Sequence, residues 1–479
     1  MPEYLAPGVF VEETSFRQKT IEGVSTSTTG FVGPTRFGPT EGEPELLTSF
    51  ADFERIYGGL DGLNYTDQRI NYLAHGVRAY FEEGGKRLYV VRLFQPGSDS
   101  GVASWQSPDS PPSFELRARY PGAAGNLRVT LLFKREGNVR NVVGGSPGTP
   151  ILSGVRDQQV VLAASGSPEV VSLYQVESVV EASGRRFRLR DAGGAVELDA
   201  VAAVYPLTVT VTVAGNGRFD QEQVWDELSF DPSHPRSLNT LFAAQPERRA
   251  TALFVPLVFD PLGLSDGMAI ATALLDLTNS EGDTLLSALA DPGSSDTQRS
   301  FQTALSGGND GGPPLPIHYQ GQEIGGVKTG LVAFEDLEDI SIVAAPGSTL
   351  DASDGDAVMR FLIGHCERMR YRVAVLDSVL GYLPGQMRDL RGGLDSTRAA
   401  LYYPWVRVTN PLAADPLAPS EILLPPSGFM AGIYARNDVE RGVHKAPANE
   451  VIRLALGFEL LINKAQQEVL NPLGINCLR

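Results

Sequence analysis

The clearest hydrophobic pattern in the chain lies near its C-terminus. Between Asn449 and Asn471, apolar residues recur at alternating steps of four and three, which is the spacing of one face of an α-helix. The residues on this face are Val451, Ala455, Phe458, Ile462, Ala465 and Val469. Asn449 can cap such a helix, because its side-chain oxygen accepts from the first free N–H groups, and Pro472 ends it. The pattern predicts one long helix over this stretch.

The stretch before this helix changes from β-forming residues to charged ones. Residues Ala399–Tyr403 and Trp405–Val408 are rich in β-formers and predict a strand that Pro404 interrupts. Charged residues dominate the segment that follows, and we interpret it as a polar turn that contains Arg436, Asp438, Glu440, Arg441 and Lys445. Such a turn could serve as an active site, an ion-paired structural turn or a subunit contact. We favour a structural or subunit contact, because no nucleophile or metal cluster stands beside it.

The segment 25–104 alternates between helical and strand patterns. Residues Ser49–Tyr57 predict a short capped helix that a glycine pair stops, and a second helix is predicted between Thr66 and Gly84. Residues Leu88–Leu93 then predict a buried strand. A helix that leads into a strand is typical of an α/β core.

The middle of the chain follows a different period. Across 105–235, apolar and polar residues mostly alternate, as they do in Thr208–Val213, and turn residues separate the runs. This alternation predicts antiparallel strands. We therefore expect a β-rich insertion between two α/β segments.

The α/β pattern resumes in the last part of the chain. Strands are predicted at Ala252–Phe259, Ile340–Pro346 and Tyr371–Asp377, and a helix is expected to begin at the cap Asp356. The predicted fold class is α/β (α+β): a mixed-sheet α/β core built from the N- and C-terminal segments, an antiparallel β-rich insertion domain and an extended N-terminal arm. In chain order, the predicted arm, first core part, insertion domain and second core part are 1–24, 25–104, 105–235 and 236–479.

At the N-terminus, one extended run stands alone. Prolines disfavour a helix there, and the run contains Val9, Phe10 and Val11. Because no hairpin partner lies nearby in the sequence, this strand must pair with a distant segment. It is either an edge strand of its own domain or an arm that adds to the sheet of a neighbouring subunit. The residues themselves favour neither interpretation.

Charge and cysteine content narrow the classes of function. The chain has 40 Lys and Arg against 57 Asp and Glu, a formal net charge of −17. Without a basic run, such a chain is a poor candidate for binding nucleic acid or an anionic membrane surface. Two cysteines, Cys366 and Cys477, indicate a reducing compartment. No signal peptide and no apolar run near the ~20 residues of a membrane span are visible, so we expect folding in the cytoplasm.

Short motifs that mimic catalytic sites lack the surroundings that those sites need. The run 144–148 matches the G-x-S-x-G nucleophile elbow, but no helical pattern follows it. The run 321–329 mimics a phosphate-binding loop, but an extra residue separates its second glycine from Lys328. We interpret Gly325 and Gly326 as a turn before a strand.

A hydrolase remains the alternative function. His365 and Cys366 are adjacent and Asp377 and Ser378 end the next predicted strand, so a Ser–His–Asp or Cys–His site can be drawn. His365, however, lies on the apolar face of its predicted helix, where core histidines are more common than general bases. No zinc motif is present, and we expect no cofactor, no metal and no enzyme activity. The alternative is a cytoplasmic α/β hydrolase that uses this neighbourhood or the polar turn at Asn437.

Several sequence motifs occur in a fixed order along the chain. Towards the C-terminus these are LYYPW, PPSGF with AGIYAR, RGVHKAPAN and LNPLGIN, and near the N-terminus YLAPGVFVEE and TTGFVGPTRFGP. In this order they resemble the tail sheath proteins of contractile phage tails and phage-like contractile injection systems. The resemblance runs from Tyr4 to the C-terminus except for a middle segment.

The resemblance implies a structural subunit of a contractile sheath. Such subunits assemble as stacked hexameric rings around an inner tube and contract to drive the tube into a target. The implied partners are other copies of the chain, the inner tube protein, and baseplate and terminator (cap) proteins, without nucleic acid and without membrane insertion. The particle would be a virion tail or a phage-tail-like particle made in the cytoplasm of the producing cell.

The resemblance also assigns roles to segments. The run with Val9, Phe10 and Val11 would be the arm that joins a neighbouring subunit, and 105–235 would lie on the outer surface. Sheath proteins of this type usually continue past LNPLGIN into a further domain and a strand-donating C-terminal arm. Either the natural chain extends beyond Arg479, or the subunit lacks that half of the linkage.

Overall fold

The computed structural model describes residues 27–65, 68–144, 148–166, 170–181, 184–191, 193–215, 222–413 and 419–479. These residues form helices together with parallel and antiparallel sheets, which confirms a mixed α/β (α+β) protein. The predicted N-terminal arm, with Val9, Phe10 and Val11, lies outside the described residues, so its role stays a prediction.

The elements are numbered in chain order. The strands are β1 (Thr28–Pro34), β2 (Glu45–Leu47), β3 (Leu63–Asn64), β4 (Gln68–Arg69), β5 (Arg87–Leu93), β6 (Ser104–Gln106), β7 (Glu115–Ala118), β8 (Arg128–Arg135), β9 (Arg140–Val143), β10 (Thr149–Leu152), β11 (Val160–Ser165), β12 (Val170–Glu181), β13 (Gly184–Asp191), β14 (Gly194–Val196), β15 (Ala203–Ala214), β16 (Gln223–Leu228), β17 (Leu257–Asp260), β18 (Ser300–Ala304), β19 (Glu323–Ile324), β20 (Val327–Lys328), β21 (Ile342–Ala344), β22 (Val373–Asp377), β23 (Ala399–Tyr403), β24 (Val406–Thr409), β25 (Glu421–Leu424), β26 (Gly457–Phe458) and β27 (Ile475–Cys477). The α-helices are α1 (Phe50–Tyr57), α2 (Tyr72–Glu82), α3 (Leu238–Leu241), α4 (Arg249–Phe254), α5 (Gly267–Leu275), α6 (Leu285–Ala290), α7 (Pro316–Gln320), α8 (Ala352–Met369), α9 (Pro384–Gly392), α10 (Ser427–Arg441) and α11 (Lys464–Leu470).

A seven-stranded sheet joins the two ends of the described chain. Its strand order is β2-β5-β1-β21-β22-β23-β27. All neighbours pair in parallel except β2, which runs antiparallel to β5. Strand β1 lies between β5 and β21, so N-terminal and C-terminal segments alternate within one sheet. Parallel sheets of this kind need cover on both faces.

Successive side chains of β1 and β21 point to opposite faces of this sheet and enter different apolar clusters. Phe31 packs in a cluster with residues of α1, α2 and α10, whereas Val32 packs in a cluster with residues of α8, α9 and α11. In β21, Ile342 belongs to the first cluster and Val343 to the second. The helices therefore cover both faces, which explains why β21 is apolar throughout rather than alternating.

The middle of the chain forms a separate antiparallel sheet. Its order is β14-β13-β12-β11-β15-β8-β18, and β16 also pairs with β15. A second, small sheet consists of β17, β7 and β6. Its apolar side chains pack with those of the larger antiparallel sheet in one cluster. The alternation in 105–235 thus correctly predicts antiparallel strands. Strands β17 and β18 come from beyond residue 235, so the apolar cluster of this region contains residues from both sides of the predicted boundary. The domain boundaries stay predictions.

Helix α1 begins and ends where the sequence predicts, whereas helix α8 begins earlier than predicted. Helix α1 follows its cap Ser49, whose hydroxyl accepts from the Asp52 N–H at 3.1 Å, and it ends at Gly58 with a φ of 86°. Helix α8 is capped by Asp351 rather than by Asp356, because the Asp351 carboxylate accepts from the first free N–H groups of the helix. Sequence alone thus placed this cap more than one turn too late.

The predicted long C-terminal helix is wrong, since only α11 forms within it. The Arg453 N–H donates to a Glu83 carboxylate oxygen at 2.7 Å, and the Leu456 N–H donates to the Arg407 carbonyl at 2.8 Å. An α-helix would need these donors for its own bonds four residues back. Half of the expected apolar face, namely Val451, Ala465 and Val469, is also exposed, and Val451 has 75% exposure. Bonds to other segments therefore override the helical period here.

Helices α2 and α10 cross at backbone contact distance because glycines lie at the crossing. A Cβ atom added to Gly428 would lie 2.7 Å from the Cα atom of Gly76. A Cβ atom added to Gly432 would lie 2.5 Å from the carbonyl oxygen of Tyr80. Such distances leave no room for a side chain, so these positions of α10 require glycine. The crossing fixes an N-terminal helix against one from far along the chain.

Gly432→Ala is expected to lower the free energy of unfolding by about 1–3 kcal/mol, because the methyl group overpacks the crossing. The matched control is Gly364→Ala in α8, where an added Cβ would meet only the Arg368 guanidinium at 3.9 Å. That change should be neutral or stabilising by up to about 1 kcal/mol, since alanine favours helix over glycine. Urea unfolding measures both. A Gly432→Ala protein as stable as the parent would contradict the close crossing.

Candidate interaction site at the crossing of α2 and α10

A buried ion pair lies at one end of the helix crossing. The Arg436 guanidinium on α10 contacts the Glu83 carboxylate at 3.1 Å, and the side chains are 8% and 0% exposed. Glu83 is the last residue before the chain leaves α2 at Gly84. Gly84 has a φ of 106°, and a Cβ there would lie 3.1 Å from the Cβ of Arg436. The glycine therefore lets the end of α2 approach α10 closely enough for the ion pair.

The same two side chains bind a third segment. Arg436 also donates to the Glu83 carbonyl at 2.8 Å and to the Val451 carbonyl at 3.3 Å. The Glu83 carboxylate accepts from the backbone N–H of Arg453 at 2.7 Å. Burial raises the pKa of Glu83, while the bonds from Arg453 and Arg436 lower it. The pair thus joins α2, α10 and residues 451–453, and both charges are satisfied within one chain.

A second, more exposed layer of charges lies around Glu450. Its carboxylate contacts Lys445 at 2.7 Å, Arg441 at 3.0 Å and Arg436 at 3.8 Å. The hydrogen bond from Lys445 is the main cause of the lowered pKa of Glu450. Arg441 is 53% exposed, so this layer faces solvent and can also face another molecule.

The prediction of a polar turn is wrong, because this segment is helical. Four of the five predicted residues lie on helix α10, namely Arg436, Asp438, Glu440 and Arg441. Arg436 is buried, Asp438 is half-buried, Glu440 and Arg441 are exposed, and Lys445 follows the helix. The structure brings Arg436, Arg441 and Lys445 together on Glu450, which sequence reasoning missed. Their roles in contacts between subunits stay predictions.

Sequence reasoning also missed Glu83, although it carries a detectable signal. A carboxylate at the C-terminal end of a helix faces the negative end of the helix dipole. Glu83 occupies that position directly before two glycines. Such a residue needs a cationic partner, and Arg436 provides it. The partner itself was not predictable, because it lies far away in the sequence.

The residues of the hydrolase alternative have other partners. His365 is fully buried, and its ring contacts the Arg372 guanidinium at 2.7 Å. Burial, with Arg372 second, lowers the pKa of His365 to about 3. The Asp377 carboxylate accepts instead from the N–H and hydroxyl of Ser427, at 2.6 and 2.7 Å. Histidine and aspartate are thus committed to structural bonds, and no nucleophile–base–acid chain forms among these described residues.

The other short motifs do not form a site either. Part of the 144–148 run lies outside the described residues. Gly325 and Gly326, with φ values of 59° and 84°, form the turn between β19 and β20, as predicted. Within the described ranges, no group of three or more His, Cys, Asp or Glu side chains is placed to hold a metal ion. Among the helices described, none is long and apolar enough to cross a membrane.

The sequence model of the phage tail sheath protein central domain matches residues 325–479. This part of the chain is similar to the central domain of phage tail sheath proteins. The match contains β21, β22, β23 and β27 of the seven-stranded sheet, and it contains α10 with the predicted polar residues. Sheath proteins are structural proteins and not enzymes, which agrees with the bonding of His365 and Asp377.

Solved structures with similar chains come from contractile particles. A chain of the anti-feeding prophage baseplate is 34% identical, over 31% of this chain and 37% of that chain, with a TM-score of 0.24. A chain of the anti-feeding prophage helical sheath in the contracted state is 31% identical, over 31% and 37%, with a TM-score of 0.25. A chain of the PVC sheath complex, an extracellular contractile injection system in the contracted state, is 25% identical over 33% and 42%, with a TM-score of 0.24.

These similarities are limited in extent. The matched region spans 37 to 42% of the length of those solved chains. None of the curated proteins compared with the chain matches it.

Arg436→Met is expected to lower the free energy of unfolding by about 3–5 kcal/mol, because it leaves the Glu83 carboxylate buried without a cation. Arg441→Met is the matched control. It removes a 53% exposed guanidinium from Glu450 and should cost about 0–1 kcal/mol. Guanidinium chloride unfolding of the two variants measures the difference. Equal losses would show that the buried pair does not hold the crossing.

The contribution of Asp377 to the stability of the protein should fall as the pH rises from about 4 to about 7. Burial raises the pKa of Asp377 to about 7, whereas an unfolded aspartate titrates near about 4. In this window the folded state binds a proton that the unfolded state releases, so raising the pH favours unfolding. Asp377→Asn should remove this contribution, so the variant should gain stability relative to the parent as the pH rises through this window, whereas the exposed control Asp395→Asn should not. Unfolding free energies at several pH values would contradict the account if Asp377→Asn kept the parent slope.

Proposed function

We propose that this chain is a structural subunit of a contractile sheath. It assembles as stacked hexameric rings around an inner tube and contracts to drive the tube into a target. The observation that carries the proposal is the match of residues 325–479 to the tail sheath central domain. The particle is a phage tail or a phage-tail-like injection system, assembled in the cytoplasm of the producing cell.

The contacts between distant segments of the chain support this proposal, because a contracting sheath needs subunits that keep their shape. Contraction of an assembly rearranges whole subunits at their interfaces, and its free energy comes from replacing one set of contacts by another. Each subunit must keep its shape while this happens. The parallel sheet, the glycine crossing of α2 with α10 and the Arg436–Glu83 pair all tie segments distant in sequence into one body.

The edges of the seven-stranded sheet provide places for contacts with neighbouring copies. Strand β2 lies at one edge and β27 at the other, and an edge strand presents N–H and C=O groups that another strand can pair with. The predicted arm with Val9, Phe10 and Val11 is the segment that would pair there in a neighbouring copy. The exposed charges of α10, including Glu440 and Arg441, are candidates for polar contacts between copies.

Other partners follow from the same proposal. They are the inner tube protein inside the sheath, the baseplate at one end and a terminator or cap protein at the other. The chain has a net charge of −17, so identical copies repel one another at low salt. Assembly therefore depends on short-range contacts that outweigh this repulsion.

The purified protein, alone or with its inner tube protein, is expected to form rings or hollow striated tubes in negative-stain electron microscopy. More should form at about 1 M than at about 0.1 M salt, because the screening length falls from about 10 Å to about 3 Å. Particles of monomer size under all these conditions, including with the tube protein, would contradict the proposal.

A paired variant tests the arm within the same experiment. Val9→Pro with Val11→Pro removes two backbone N–H donors from the predicted strand and should reduce tubes to smaller species. Arg17→Pro, outside that run, is the control. Urea unfolding should give the same stability for both variants. Tubes of normal length with the double proline variant would exclude strand pairing by this run.

A further inference from the structure

A cavity lies beyond the carboxyl ends of β1 and β21. It has a volume of about 80 Å³, and its wall includes Pro34 at the end of β1 and Pro346 shortly after β21. These two strands are neighbours in the parallel sheet. In α/β proteins, ligands bind at this end of the sheet, where the connections from neighbouring strands leave towards opposite faces.

The connections from β1 and β21 do leave towards opposite faces. Helix α2 follows β1 and packs in the apolar cluster on one face, whereas α8 follows β21 and packs in the cluster on the other face. The first turns of both helices line the cavity, with Tyr72 and Leu73 of α2 and Asp354 of α8. The cavity is therefore the opening that diverging connections leave at the end of a parallel sheet.

A buried hydroxyl in the wall of the cavity lacks a hydrogen bond. The Tyr319 side chain lines the cavity and is 6% exposed. Its hydroxyl makes no hydrogen bond with any residue that the structure describes. A buried polar group without a hydrogen bond is unfavourable, so a polar group inside the cavity would stabilise it. One water needs only about 10–15 Å³ of such volume, so the cavity has room for a larger group.

The Asp354 carboxylate lies near this hydroxyl. Burial, and after it the charge of Asp354, raises the pKa of Tyr319, so the two groups interact. Asp354 is half-buried, and within the described part of the chain its carboxylate has no hydrogen bond or ion pair. Asp351 differs, because its carboxylate accepts from the N–H groups of Ser353 and Asp354, at 2.9 and 3.2 Å. Asp354 and Tyr319 are thus the polar groups that remain for a ligand.

The rest of the wall is mostly apolar and aromatic, and it includes the rings of Tyr65 and Tyr72. The face of a tyrosine ring attracts cations, and the Arg69 guanidinium already lies 5.9 Å from the centroid of the Tyr65 ring. Two aspartates and one arginine line the cavity, so its net charge is negative. A cation with an apolar stem matches this lining.

We propose that this cavity binds a primary ammonium group on an alkyl stem. The ammonium donates to the Asp354 carboxylate and the Tyr319 hydroxyl, and the stem packs against the tyrosine and proline rings. An anion fits less well, because the side chains of Asn71 and Asp351 already cap the two helix ends. The ammonium belongs either to a free alkylamine or to a lysine side chain of another chain. The site lies within one chain and does not rest on the proposed function.

Binding of n-butylamine to the full-length chain tests the proposal, because this amine has the stem and the ammonium group of a lysine side chain. Ligand-observed NMR measures its affinity at neutral pH. n-Butanol has the same stem without the charge and should bind about tenfold more weakly or worse, since it cannot form a charge-assisted hydrogen bond. Equal affinities would overturn the proposal. No binding of either compound would also overturn it and would leave water as the occupant.

Variants of the two polar groups locate the binding. Asp354→Asn should weaken the binding of n-butylamine about tenfold or more, and Tyr319→Phe should weaken it several-fold. Both changes remove a group without a partner among the described residues, so urea unfolding should show folded proteins. The control Asp356→Asn lies on the same helix, where the aspartate pairs with Arg360 outside the cavity, and it should bind like the parent. Unchanged binding by a folded Asp354→Asn protein would overturn the proposal.

Carbodiimide coupling distinguishes the two sources of the ammonium group, because the reagent joins a carboxylate to an amine in contact with it. In assembled particles, a bond between Asp354 and a lysine of another chain would identify a lysine side chain as the ligand. Particles that lack this bond and still bind n-butylamine would identify a free alkylamine. The binding assay uses the single chain, so its result stands whether or not particles form.

Discussion

The contact between α2 and α10 determines how the two ends of this chain form one structure. Glycines let the helices touch, and the Arg436–Glu83 pair is buried at the end of the contact. A buried ion pair is strongly unfavourable when either partner is lost. The matched sheath region begins at residue 325, whereas Glu83 and α2 lie near the N-terminus. The matched region is therefore not self-contained, and its fold requires the N-terminal segment.

The seven-stranded sheet also depends on the N-terminal segment. Strands β1 and β5 from the N-terminal segment pair beside β21, and α2 from that segment covers one face together with α10. Removing the N-terminal segment would expose the apolar side chains of β21 and α10. The shared sheet and the shared helix layer thus make the two segments one structural unit.

Sequence patterns predicted elements that depend on local interactions. Helix α1 has its own cap and glycine stop, and β5 and β22 are continuous apolar runs, so each was located without knowledge of its partners. The C-terminal region was mispredicted because long-range bonds decide it. Glycines at 428 and 432 weaken the helical signal of α10, although the crossing with α2 requires them. The helical period after Asn449 fails, because Glu83 and other distant groups take the backbone donors.

In the candidate site, too, local signals identify single residues but not their distant partners. The charged residues of α10 could be identified by their density, and Glu83 by its place at a helix end, but no local signal joins Glu83 to Arg436. The fold brings these charged residues together, so that Arg436 and Glu83 form a buried pair and Arg441 and Lys445 form a more exposed layer around Glu450. The buried pair joins α2 to α10, and the exposed layer stays accessible to solvent.

The most direct measurement is a cryo-electron microscopy reconstruction of the particles formed when this chain is produced with its inner tube protein and baseplate. We expect helical density outside the tube, into which the seven-stranded sheet fits once per subunit, in particles of an extended and a contracted length. A particle whose outer layer lacks this chain, or a tube of fixed length in which it forms the inner wall, would contradict the central claim.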